Sequence, residues 1–233
     1  MIVSHKHKFI FVKPVKTGGT SLLKMLANHC GQNDIFADCY NSDGHIVVRG
    51  KMPDGTNIDS HMPAHEIKRR FPMEWDSYRK ITMVRNPWDM VAAVYFYSRR
   101  KWWGKDARFP TYFNEFADWH IYGSMSSHER WLLNSEPYAD FTVRFEHLAE
   151  DCEALFRELG LPWEGMLHLN QNKEKPNTHY AYLYSARTRD TIGAKFDRVI
   201  KDFGYKFEHP FDYEGQPHRY DHQAWLRSTG RIA

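Results

Sequence analysis

Short apolar runs alternate with stretches in which apolar residues recur every three or four positions, and this alternation continues to about residue 207. The first run, Lys8-Phe9-Ile10-Phe11-Val12, is unbroken, as in a strand covered on both faces. It passes through Lys13-Pro14 into Lys16-Thr17-Gly18-Gly19-Thr20-Ser21. A helical pattern follows, with Leu22, Leu23, Met25 and Leu26 on its buried side, ending near Gly31. Residues 32–60 are rich in Asp, Asn, Gly and Pro and read as loops, with a short strand at Ile46-Val47-Val48. A helix is expected from Pro63, with Ile67 and Phe71 on one face.

A second buried strand, Ile81-Thr82-Met83-Val84, leads into Arg85-Asn86-Pro87-Trp88-Asp89. Asn86 as N-cap, Pro87 as first helical residue and Asp89 in the first turn mark a helix start. Met90, Val91, Val94 and Tyr95 supply its apolar stripe. From Lys101 to Trp131 the chain is aromatic and helical in part, without legible boundaries. A third strand reads at Phe141-Thr142-Val143-Arg144. A helix from Glu146 to Leu159 follows, stopped by Gly160 and Pro162, and a last one runs from Thr188 to Phe203 with Gly204 at its C′ position. Strands alternating with helices predict an α/β fold, a central parallel sheet flanked by helices. We read residues 1–233 as a single domain, with a core over 8–207 and a C-terminal tail over 208–233.

Composition narrows the class. Hydrophobic residues make up 42% and charged residues 26%, which is globular. The aromatic share of 15% supplies core material and, in places, stacking surface. A net charge of only +3 is too small for a dedicated nucleic-acid binder but fits a small anion held in one basic pocket. Cys30, Cys39 and Cys152 are few, odd in number and spaced unlike a metal motif, as expected in a reducing compartment. The first residues lack an apolar leader, and nowhere do about 18 apolar residues run together. A cytoplasmic location with no membrane span is therefore expected.

Strand, glycine-rich turn, helix is the order that a phosphate cradle needs. In Lys16 to Ser21, adjacent Gly18 and Gly19 let the backbone approach an anion, and Thr20 and Ser21 add hydroxyls where the helix dipole favours negative charge. In a nucleotide-triphosphate loop the Lys follows the second glycine; here Lys16 precedes both. That order counts against a kinase or GTPase.

Lys-Thr-Gly-Gly-Thr-Ser after a buried strand resembles the 5′-phosphosulfate loop of the sulfotransferases, nearest to the family of heparan and chondroitin O-sulfotransferases and their bacterial relatives. Met83 to Asp89 resembles that family's 3′-phosphate motif, Arg144-Phe145-Glu146-His147-Leu148 its "R-F-E-x-L" segment, and Asp202-Phe203-Gly204-Tyr205 its C-terminal ending. The resemblance spans about residues 8–207. It implies sulfuryl transfer from 3′-phosphoadenosine-5′-phosphosulfate (PAPS) to a hydroxyl acceptor, without metal. Lys16, Thr17, Gly18, Gly19, Thr20 and Ser21 would cradle the phosphosulfate, Arg85 would fork onto the 3′-phosphate, and Lys16 would be the catalytic cation. The family carries a Ser eight residues after this Arg; here that position is Ala93, and Ser98 is the candidate substitute.

Sulfuryl transfer needs a base for the acceptor proton and fixed charge at the leaving group. In its place ahead of Pro63 and before Arg85, His61 resembles the catalytic His of related hexuronic 2-O-sulfotransferases, which would make it the base; His65 is the second choice. His61 and His65, four apart, also have the spacing of zinc ligands on a helix, but no third ligand is evident. Two rival readings stand beside the enzyme: a module that binds PAPS or its product 3′-phosphoadenosine-5′-phosphate (PAP) without chemistry, and a single-strand nucleic-acid binder. The second needs basic residues interleaved with aromatics, found only in Arg99-Arg100-Lys101-Trp102-Trp103-Gly104-Lys105, which we read as a wall of the acceptor cleft. The acceptor itself, whether carbohydrate, lipid headgroup or small molecule, stays open at this point.

Overall fold

The computed structural model describes residues 1–41, 44–49, 58–102, 112–122, 139–167, 169 and 179–208. Its strands are β1 (Ile2–Ser4), β2 (Phe9–Phe11), β3 (Ile35–Asn41), β4 (Gly44–Arg49), β5 (Arg79–Val84) and β6 (Phe141–Arg144). Its helices are α1 (Gly19–Ala27), α2 (Ala64–Arg70), α3 (Pro72–Ser77), α4 (Pro87–Trp102), α5 (Phe113–Tyr122), α6 (Leu148–Glu158), α7 (Ala186–Lys195) and α8 (Asp197–Phe203). One sheet orders the strands β4-β3-β1-β2-β5-β6. The expected parallel core is β2-β5-β6, with Phe11 opposite Ile81 and Ile81 opposite Phe141.

The other half of the sheet is antiparallel: β1 turns back onto β2, β3 pairs with β1, and β4 with β3. Here the loop expectation for residues 32–60 is corrected. The pairs Ile2–Phe36 and Val3–Ile35 recruit this segment through backbone hydrogen bonds, which do not depend on an apolar run. The short strand expected at 46–48 falls inside β4. Asp34 secures the junction: its carboxylate accepts from Ser4 Oγ and His5 N at 2.7 Å, Gly31 N at 2.8 Å and Lys6 N at 3.0 Å.

The unbroken apolar run of β2 has a simple cause. Phe9 and Phe11, with Ile81, Met83 and Val143, pack on one face beneath Leu22, Leu23 and Leu26 of α1 and Leu155 and Phe156 of α6. Ile10 and Val12 point the other way, onto Ile67, Phe71 and Trp75 of the α2–α3 region. A third core gathers α4, α5, α7 and α8 around Tyr95, Phe116, Ile192 and Phe196.

The helix expected over 188–203 is two helices. Phe196 leaves helical geometry (φ −104°, ψ 20°) while its ring is buried in this third core, so burial of the ring accompanies the break. Gly204 ends α8 in left-handed conformation, as the pattern predicts. The helix expected from Glu146 opens as a 3-10 turn over Phe145–His147 before α6 begins.

Candidate active site

The three parallel strands end in step, since Val12 N bonds Ile81 O at 2.9 Å and Val84 pairs with Arg144. Residues 13–21, 85–89 and 145–151 therefore leave the sheet at one edge, the carboxyl ends of the parallel strands, where α/β folds hold their ligands. All three motifs that look unrelated along the chain converge here.

The loop after β2 is bent at two points. Lys16 (φ 59°) and Gly18 (φ 83°) both adopt left-handed backbone. For lysine this costs about 1–3 kcal/mol, so surrounding contacts must hold it. Arg85 Nη1 donates to the Lys16 carbonyl oxygen at 2.6 Å, and the Lys16 Nζ lies 4.5 Å from the centre of the Tyr97 ring. A Cβ on Gly18 would press against Phe145 at 3.3 Å; one on Gly19 would meet the Lys13 stem at 2.7 Å. Close packing thus requires Gly19, and Gly18 is favoured by its φ, with Phe145 close by. Gly18 caps α1 without a side chain, so the first-turn N–H groups of Gly19 and Thr20 face the sheet edge along the helix axis.

The hydroxyls are less available than the pattern implies. Thr17 is fully buried and its Oγ1 donates to Pro14 O at 3.4 Å, so it faces a ligand only through its backbone. Ser21, also buried, accepts from Leu169 N at 3.0 Å and keeps its own O–H to donate.

Arg85 is 7% exposed and tightly engaged. Its Nε and Nη2 both donate to Asp89 Oδ2, the first at 2.8 Å, and its guanidinium carbon lies 3.9 Å from the centre of the Phe145 ring. With the bond to Lys16 O, three of its five N–H groups are used; among the described residues, one on each terminal nitrogen remains for a ligand. Asp89, which the sequence marks only as a first-turn acid, is thus the partner that orients this arginine.

The Arg-Phe-Glu segment joins the others. Arg144 clamps Asp151 at 2.9 and 2.7 Å, fixing the start of α6. Phe145 lies between Gly18 and Arg85. The Glu146 carboxylate accepts from Asn86 N at 2.6 Å and from the Tyr205 hydroxyl at 2.9 Å. Asn86 caps α4 through Trp88 N at 3.1 Å and reaches Lys206 O at 3.0 Å.

His61 stands at the same edge. Its Nδ1 is 3.0 Å from Lys13 O, and its backbone N bonds Asp59 Oδ1 at 2.8 Å. A carbonyl oxygen only accepts, so Nδ1 carries the proton and a neutral ring bears its lone pair on Nε2. His65 is exposed on α2. Glu66 is bonded by Arg69 and Arg70, which hold its carboxyl down to about 2, too low to serve as a base near neutrality.

Ser98, the candidate substitute at the 3′-phosphate, lies on the opposite side of α4 from Asp89, the partner of Arg85. At about 100° per residue, Ala93 lies about 40° and Tyr97 about 80° round α4 from Asp89, whereas Ser98 lies about 180° away. Tyr97 is the residue the sequence reading missed; its i+4 spacing from Ala93 and i+8 spacing from Asp89 was the available signal. Of the basic-aromatic stretch 99–105, Arg99 is buried within α4. The side chains of 100–102 and residues 103–105 lie outside the described residues, as does the tail beyond 208. Among the described residues, no cluster of His, Cys, Asp or Glu could hold a metal, and no helix is long and apolar enough to cross a membrane.

No family model matches the chain. An uncharacterized protein of Archaeoglobus fulgidus is 32% identical over 114 residues, covering 47% of this chain and 91% of that protein. The crystal structure of mouse sulfotransferase SULT7A1 complexed with PAP superposes with a TM-score of 0.56 at 12% identity, covering 86% of this chain and 88% of the mouse chain. The chain therefore belongs to one family with the archaeal protein, and its fold is that of the sulfotransferases.

Proposed function

We propose that this chain is a sulfotransferase that moves a sulfuryl group from PAPS to a hydroxyl-bearing acceptor. The observation that carries the reading is the convergence of Lys16, the Gly18–Gly19 turn, Arg85 and His61 at one sheet edge, in a fold shared with a PAP-bound sulfotransferase. The Gly19 and Thr20 amides and the Ser21 hydroxyl would hold the 5′-phosphosulfate. The two remaining Arg85 N–H groups would fork onto the 3′-phosphate. His61 Nε2 takes the acceptor proton as the acceptor oxygen forms its bond to sulfur. The bond from sulfur to the phosphate oxygen breaks, and that oxygen keeps the electron pair. Lys16 stabilises the charge developing on the leaving oxygen. Overall, PAPS and an alcohol give PAP, a sulfate ester and a proton.

The test is transfer of labelled sulfate from PAPS to a fractionated lysate, with chelator present. His61→Ala should bind PAP as the wild type does yet transfer at least about a hundredfold more slowly, the usual cost of losing a general base. The wild-type rate should fall as acid protonates the ring, and residual His61→Ala activity should lack that limb. Lys16→Ala should lose rate similarly, with some loss of PAP affinity. Tight PAP binding with no transfer to any fraction would leave a nucleotide-binding module. Binding of ATP with Mg²⁺ but not of PAPS would overturn the reading.

A further inference from the structure

Tyr97 lies two turns beyond Asp89 on α4, with the small Ala93 between them on the same side. Its ring centre is 4.5 Å from the Lys16 Nζ, and the residue is 40% exposed, so ring and ammonium meet at the rim of the site. Lys16 is thus held at both ends. Arg85 bonds its carbonyl oxygen, and the Tyr97 ring faces its ammonium. A lysine stem is flexible, and each contact on the ammonium narrows the cone it sweeps from that fixed backbone. The negative face of an aromatic ring narrows the cone through attraction that is weaker than a full anion exerts.

We infer that Tyr97 is a positioning residue for Lys16, its ring holding the ammonium on the α4 side of the loop, where phosphosulfate oxygens compete for it. The competition rests on the sulfotransferase reading; the ring–ammonium contact does not. Because the anion attracts more strongly than the ring, the donor draws the ammonium from a defined starting place.

The test is trinitrobenzenesulfonate labelling of Lys16, quantified by peptide mass spectrometry. The reagent attacks only the neutral amine, and the ring favours the ammonium. Tyr97→Leu should label about two- to fivefold faster than wild type, the range expected for one exposed cation–π contact. Tyr97→Phe should label at the wild-type rate and Tyr97→Trp more slowly. Equal rates in Tyr97→Leu and wild type overturn the inference. Saturating PAP should slow labelling in every variant; if it does not while the ring series persists, the contact stands and the nucleotide reading falls. In transfer assays Tyr97→Leu should lower KM for PAPS more than it changes kcat, because the contact it removes is given up as the donor binds, with Tyr97→Phe keeping the wild-type KM. An equal change of KM in both variants would assign the effect to the hydroxyl and sink the proposal.

Discussion

At the scale of single residues, Arg85 carries the most consequence because it serves the protein and the proposed ligand together. Asp89 and Phe145 fix its plane, and Lys16 O takes one terminal N–H. Charge-assisted hydrogen bonds are worth about 1.5–3 kcal/mol, so Arg85→Ala should raise the PAP dissociation constant about ten- to a hundredfold. Adenosine 5′-phosphosulfate, lacking the 3′-phosphate, should weaken less in calorimetry, by only what release of the Lys16 loop costs; equal weakening of the two ligands would leave Arg85 a structural role alone. Arg85→Ala also strands the Asp89 carboxylate, so Arg85→Lys is the companion variant. It keeps a cation beside Asp89 while losing the planar fork, and should still weaken PAP.

At the scale of elements, the loop between β2 and α1 depends on backbone that ordinary residues resist. Gly18 and Gly160 offer a controlled comparison, with φ of 83° and 65°. An added methyl at Gly160 meets nothing within 4 Å, whereas at Gly18 it presses on Phe145. Both alanine variants should lose about 1–2 kcal/mol in urea titration from left-handed backbone alone. Gly18→Ala should lose somewhat more, and only it should weaken PAP, since Phe145 is also the surface on which Arg85 lies. Matching PAP affinities in the two variants would separate the loop from the nucleotide.

At the scale of the whole molecule, hydrogen-bonded carboxylates, one joining distant segments and one fixing a helix start, set the response to acid. Burial pushes the Asp34 and Asp151 carboxyls up, but hydrogen bonds outweigh it and hold both below the ordinary range. For Asp34 the donors are the Gly31, Lys6 and His5 amides and Ser4; for Asp151 they are the Arg144 side chain and amide. A carboxyl held low when folded contributes stability that is present at neutral pH and lost as pH falls through its folded value. Unfolding midpoints should therefore drop as pH falls below about 4, the ordinary aspartate value. Asp34→Asn should be less stable at neutral pH and show a shallower decline with acid; a slope equal to the wild type would remove Asp34 from this account.

The parallel strands, the glycine turn after β2 and the α4 start were legible in the chain because each rests on local physics. An apolar run covered on both faces, adjacent glycines before a helix and an Asn-Pro cap act within a few residues of themselves. The β3–β4 hairpin was not legible, since backbone pairing with β1 recruits it whatever its polarity. Nor was the network at the sheet edge. Glu146 meets Asn86 and Tyr205 across 60 and 59 residues of chain, and His61 meets Lys13 across 48. Residue types could nominate Lys16, Arg85 and His61, because charge and hydrogen-bonding capacity belong to the side chain. Which atoms face one another, that Asp89 orients Arg85 and that the Tyr97 ring meets Lys16, depends on strand register and helix rotation, which only the packed sheet and helices set.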